Sequence, residues 1–196
     1  MFQAKSELNQ FLQGFNLLSK QEISELTELL DVQVMKSGNL LVKEGIECNK
    51  CYFVLKGCLR QYQVLEGQEK TIEFYTENQA VNYFTGFTGN SAAENNLICI
   101  EDSVLLIGSP AEDIEKYKKY PALEQITRSM LEKQLRSTQE NFARFRISSP
   151  EDRYLHFLES RPGLALRVPQ HQLASYLGVT PESLSRIRSR IRKQSD

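Results

Sequence analysis

Residues 167–193, RVPQHQLASYLGVTPESLSRIRSRIRK, read as two short helices meeting across a tight turn. Leu173, Ala174 and Leu177 put one apolar stripe on a helix that Pro169 can open, because a proline in the first turn has no N–H bond to lose. Gly178 supplies the break. Thr180 is placed to cap the next helix and Pro181 suits its first position, while Leu184, Ile187 and Ile191 recur at three- and four-residue spacing as its buried face. The pattern implies a helix-turn-helix, which reads double-stranded DNA with its second helix.

The opposite face of that second helix carries Glu182, Ser185 and Arg186 at positions i, i+3 and i+4, so the three side chains gather near its N-terminal end. Arginine can fork onto guanine O6 and N7 and glutamate can accept from cytosine N4, so these are the candidate base-reading residues. Thr180, Arg188, Arg190, Arg192 and Lys193 are the candidates for phosphates. A charge run alone reads as a solvated face; one built onto a two-helix unit reads as a polyanion surface.

This stretch resembles the C-terminal domain of the Crp/Fnr family of bacterial transcription regulators, and TPESLSR resembles the recognition helix of its Fnr branch. By that resemblance Glu182, Ser185 and Arg186 match the family's base-reading positions, and a half-site with a TTGA-like or TGA core is expected. The Crp branch has an arginine where Pro181 stands here. The family also adds a β-hairpin wing after the recognition helix, and with only a few residues from Lys193 to Asp196 a truncated wing is expected. RNA polymerase is a further partner that the resemblance implies.

Charge is unevenly shared. Residues 161–196 hold seven Lys/Arg against two Asp/Glu, whereas residues 1–160 hold 17 against 23, so a basic end is joined to an acidic remainder. No run reaches the roughly eighteen apolar residues of a membrane span, and MFQAKSELNQ lacks the order of a signal peptide, so a cytoplasmic location and no membrane partner are expected.

Residues 6–30 show helical spacing broken near Gly14 to Asn16. From Val32 the pattern turns to short runs bounded by glycine, VQVMKSG, LLVKEG, CYFVLKG, CLRQYQVLEG, EKTIEFYTEN and LICIEDSVLLIG, which argue for an antiparallel barrel or sandwich. KSGNLLVKEG and CYFVLKGCLRQY also resemble the family's cyclic-nucleotide-binding β-roll. Residues 121–147 then give the longest helical pattern, roughly 40 Å at 1.5 Å per residue. Its broken stripe of Leu123, Ile126, Met130, Leu131, Leu135 and Phe142 implies a partner copy, as in the family. The expected class is α+β: an N-terminal antiparallel β-roll of jelly-roll type with flanking helices over 1–120, a long dimerisation helix over 121–147, and a helix-turn-helix over 148–196, winged-helix-like with the wing truncated.

The ligand is less legible. A cyclic nucleotide phosphate needs a cation and a cradle of N–H donors, yet no Lys or Arg stands between Lys70 and Lys116. Cyclic nucleotide is therefore not expected as a cofactor; a cyclic-nucleotide-gated regulator is the alternative. Phe74, Tyr83, Phe84 and Ser91 mark the candidate pocket for an unknown small-molecule effector, if the barrel is not filled by its own side chains. Cys48, Cys51, Cys58 and Cys99 include a Cys-x-x-Cys, but Cys48 falls in a barrel turn and the others in strands, where Cys51 and Cys58 read as small buried hydrophobes, so neither an iron–sulfur cluster nor another metal is expected. A cupin-type enzyme needs several barrel histidines. The only two, His156 and His171, lie outside it, and no catalytic residue is expected.

Overall fold

A computed structural model describes residues 2–82 and 92–195. Two helices open the chain, α1 (Phe2–Gln13) and α2 (Lys20–Leu29). The break between them is closed by a capping box: the Ser19 hydroxyl accepts from the Glu22 amide at 3.2 Å, and the Ser19 amide donates to the Glu22 carboxylate at 2.8 Å. Eight strands follow: β1 (Asp31–Met35), β2 (Leu40–Val42), β3 (Cys51–Lys56), β4 (Leu59–Leu65), β5 (Gln68–Tyr75), β6 (Ala80–Asn82), β7 (Asn96–Cys99) and β8 (Ser103–Gly108). They form two four-stranded sheets in the orders β1-β8-β3-β6 and β2-β7-β4-β5. Each sheet pairs strands distant in sequence, with Asp31 opposite Ile107 and Cys51 opposite Gly108, which is the expected antiparallel roll.

Alternation along the strands sorts the side chains between two cores. Tyr52, Val54, Leu59, Leu97, Leu105 and Ile107 belong to the cluster within the roll. Leu55 and Leu106 point the other way, onto the cluster that α1 and α2 make with Tyr120 and Leu123. Gly57 takes φ +107°, and a Cβ there would lie 2.7 Å from the Ser103 Cα, so this corner admits only glycine.

Six helices complete the chain: α3 (Pro110–Lys119), α4 (Pro121–Ile147), α5 (Pro150–Ser160), α6 (Leu164–Arg167), α7 (Gln170–Tyr176) and α8 (Pro181–Ser195). A second capping box, Ser149 with Asp152, starts α5 behind Pro150. The chain divides into two compact units, one of Met1–Gln61 with Phe74–Arg136, the other of Tyr62–Glu73 with Ser137–Asp196. In the first unit, Gln134 of α4 donates to the Ala80 carbonyl at 2.7 Å and accepts from the Ala80 amide at 2.9 Å, so one side chain completes the edge of β6 as another strand would.

Candidate nucleic-acid interface

In the second unit the turn between α7 and α8 is built as the sequence implies. Gly178 takes φ +68°. Its amide donates to the Ser175 carbonyl at 3.1 Å, and the Val179 amide to the Ala174 carbonyl at 3.0 Å, the paired bonds that close a helix through a left-handed residue. Thr180 then caps α8, its hydroxyl accepting from the Ser183 amide at 3.2 Å. Leu173, Ala174, Leu177, Leu184 and Ile187 are buried, together with Tyr154 and Phe157 of α5. A Cβ on Gly178 would also come within 3.3 Å of the Phe145 ring. Gly178→Ala should therefore cost about 1–2 kcal/mol from the left-handed backbone alone, read as a lowered Tm; an unchanged Tm would mean that the turn can relax.

Opposite that buried face, Glu182, Ser185 and Arg186 are all exposed, and they share one side of α8. The Glu182 carboxyl is held below its usual range, first by its own backbone amide, then by the Thr180 hydroxyl and the charge of Arg186. It is ionised at neutral pH and can only accept. Ser189 is exposed on the same side, three and four residues beyond Arg186 and Ser185. The spacing that marked those two could have found it.

The basic residues separate into two groups. Arg192 and Lys193 are exposed. Arg188 and Arg190 flank the buried face on either side, about 100° of helix per residue setting them apart. Arg188 donates to the Gln170 side chain at the start of α7. Arg190 pairs with Glu151 of α5 at 2.6 Å. Each has one donor already engaged by its own domain, which restrains how it can reach a phosphate, a restraint the spacing of the arginines does not reveal.

In the first unit, the leading half of α4 departs from the expected dimer stripe. Leu123 and Ile126 are buried in their own protomer, so they have no surface left to give a partner. Met130 and Leu131 are half-buried and, with Phe11, Phe53, Leu106 and Tyr117, line an apolar cavity of about 610 Å³. Leu135 and Phe142 remain 60% and 63% exposed. Of the expected effector pocket, Phe74 is fully buried and does not line this cavity, while Tyr83, Phe84 and Ser91 lie outside the described residues.

The cysteines do not converge on one point. Cys51 lines that cavity, its Sγ 3.7 Å from the Asp113 carboxylate, whereas Cys99 is buried in the roll core and Cys48 packs against it. Burial, aided by Asp113, pushes the Cys51 thiol up to about 11, and burial pushes the Cys99 thiol up to about 11. Thiolates, the form that binds metal, are disfavoured there. Among the described residues no helix is long and apolar enough to cross a membrane.

Residues 32–117 match the cyclic nucleotide-binding domain family. The chain is similar to the fumarate and nitrate reduction regulatory protein of Vibrio cholerae, 24% identical over 195 residues, covering 90% of this chain and 75% of that one. Among solved structures it is similar to FixK2 of Bradyrhizobium japonicum, at a TM-score of 0.68 and 17% identity over 85% of this chain and 86% of that one. It is likewise similar to a CooA mutant of Carboxydothermus hydrogenoformans, at a TM-score of 0.69 and 17% identity over 92% and 85%.

Proposed function

We propose that this chain, which has the fold of the Crp/Fnr regulators with a cyclic nucleotide-binding domain over residues 32–117, is a sequence-specific DNA-binding transcription regulator acting as a homodimer. The observation that carries the reading is the exposed row of Glu182, Ser185 and Arg186 on the outer side of α8, with Arg192 and Lys193 further along the same helix. Arg186 reads a guanine, Glu182 accepts from a neighbouring cytosine and Ser185 contacts an adjacent base edge. The curated relatives are regulators by name, and no catalytic role is proposed. RNA polymerase, an unknown small effector and a cytoplasmic location complete the reading.

Selection of bound duplexes from a random pool tests it. The expected product is an inverted repeat with a TGA-containing half-site and half-site centres about 34 Å apart. Failure to enrich any sequence would remove the reading.

The roll is proposed to act without cyclic nucleotide. The stretch between Lys70 and Lys116 offers a phosphate no cation, and Arg60, buried on β4, already has interactions of its own. The family match favours the opposite reading, of a cyclic-nucleotide-gated regulator. Thermal melting decides between them, since a ligand at a hundred times its Kd adds about 2.7 kcal/mol. Millimolar cyclic AMP or cyclic GMP should leave Tm and DNA affinity where they were; a rise of several degrees favours the gated regulator. An iron–sulfur cluster is not part of the proposal, because burial holds the Cys51 and Cys99 thiols protonated.

A further inference from the structure

A single exposed row runs down the outer side of α8. Glu182, Ser185, Arg186, Ser189 and Lys193 recur at three- and four-residue spacing, all of them exposed, while Leu184 and Ile187 are buried on the opposite side. Ser189 stands at the middle of the row's width. At 1.5 Å per residue it lies about 4.5 Å beyond Arg186, a little more than the 3.4 Å or so between successive base pairs.

The two chain neighbours of Ser189 are long cations, and both are drawn away from the row. Successive residues turn by about 100°, so Arg188 and Arg190 leave the helix on either side of the serine. Arg188 donates to the Gln170 side chain of α7, and Arg190 pairs with Glu151 of α5 at 2.6 Å. Each tether ends on a helix that is itself fixed: α7 buries Leu173 and Ala174, and α5 starts from a capping box and buries Tyr154 and Phe157. The serine is thus framed by its neighbours without being covered. Its hydroxyl is also unengaged. Among the described residues it makes no hydrogen bond, whereas Thr127 and Ser160 turn theirs back onto the carbonyl four residues earlier, at 2.9 and 2.7 Å.

We propose that Ser189 is a fourth base-reading residue, kept open to the groove by the tethers on Arg188 and Arg190. A hydroxyl both donates and accepts, so it can meet the edge of any base, and its choice is set by the direction from which the helix presents it. A side chain this short reaches a base only where the helix backbone comes close to the floor of the groove. A long side chain lying across it would hold the helix off. An arginine released from its tether can, moreover, fork onto guanine O6 and N7 and impose its own preference in place of the serine's. The tethers therefore act on specificity through what they keep out of the groove.

The inference rests on the DNA-binding reading, and selection of duplexes from a random pool at fixed salt separates the two. Ser189→Ala removes one hydroxyl from an exposed helical position and improves helix propensity, so the Tm should hold. One further base pair in each half-site, next to the one read by Arg186, should lose its preference while the rest of the logo stays. Affinity for the wild-type site should fall about three- to tenfold per half-site, the size of one neutral hydrogen bond. Ser189→Thr, which keeps the hydroxyl, should retain the preference. Glu151→Ala combined with Gln170→Ala, which frees both arginines and leaves Ser189 in place, should move the same base pair towards guanine; an unchanged preference there overturns the part given to the tethers. A Ser189→Ala logo identical to that of wild type overturns base reading by Ser189, and so does an equal loss on every duplex, the mark of a phosphate contact. A wild-type protein that selects no sequence sinks the DNA-binding reading and Ser189 with it, whereas an inverted repeat selected alike by wild type and Ser189→Ala sinks this inference alone.

Discussion

A variant carrying Leu135→Glu and Phe142→Glu sediments as a monomer and loses about a hundred- to ten-thousandfold in affinity for the inverted repeat, because the second half-site is no longer bound from an effective concentration set by the first. Both residues are more than half exposed in the protomer, so their replacement does not open its core. Seven residues apart on one helix, they lie on one side, where each buries a large apolar side chain in a dimer, worth about 1.5–3 kcal/mol apiece. Met130→Glu would be a poorer probe, since Met130 is half-buried in its own unit, whereas Leu135, at the rim of the same cavity, is 60% exposed. Analytical ultracentrifugation at micromolar concentration checks the first half of the result and gel shifts on full and half sites the second. A wild-type monomer, or a variant that still dimerises, removes α4 from the interface.

Arg186→Ala is expected to lose about 1–3 kcal/mol per half-site, counted twice in a dimer, and to flatten the selected sequence at one base pair in each half. Among the described residues Arg186 has no hydrogen bond to the remainder of the domain that would compete with a fork onto guanine, whereas Arg188 and Arg190 are bonded to Gln170 and Glu151. Arg192→Ala should weaken all duplexes alike. Glu182→Ala should broaden the preference more than it lowers affinity, because the ionised carboxylate accepts from one base and repels the phosphates around it. An unchanged sequence logo for Arg186→Ala takes that residue out of base reading.

The helix-turn-helix was almost wholly legible. Its turn rests on local rules, in which Gly178 must be left-handed, Thr180 must cap and Leu184 must be buried, and each appears in the sequence at its required spacing. The roll was legible as strands and turns, but not as an order of strands. Asp31 opposite Ile107 is a pairing across the whole domain, and a period of two says which face a residue occupies without saying which strand lies beside it. The stripe on α4 hid a similar ambiguity: apolar spacing announces a covered face, yet Leu123 and Ile126 are covered by their own unit while Leu135 and Phe142 are left bare. The place of the β4–β5 hairpin in the C-terminal unit had no signal. Thr71, whose amide bonds the Ser175 hydroxyl, and Glu73, which pairs with Arg161, are ordinary residues until the fold brings them to their partners.

The two tethered arginines bear on how a titration with salt would be read. Five cations stand on α8, and a tally of them suggests five ions displaced from the duplex by each protomer. Arg188 and Arg190 begin with one donor bonded to their own domain, and the charge of Arg190 is already shared with Glu151, so each gains less from a phosphate than a free cation does. Arg186 is proposed to engage a base edge. The exponent of the salt dependence is therefore expected to draw mainly on Arg192 and Lys193, and the number of counterions released to fall below the basic count of the helix.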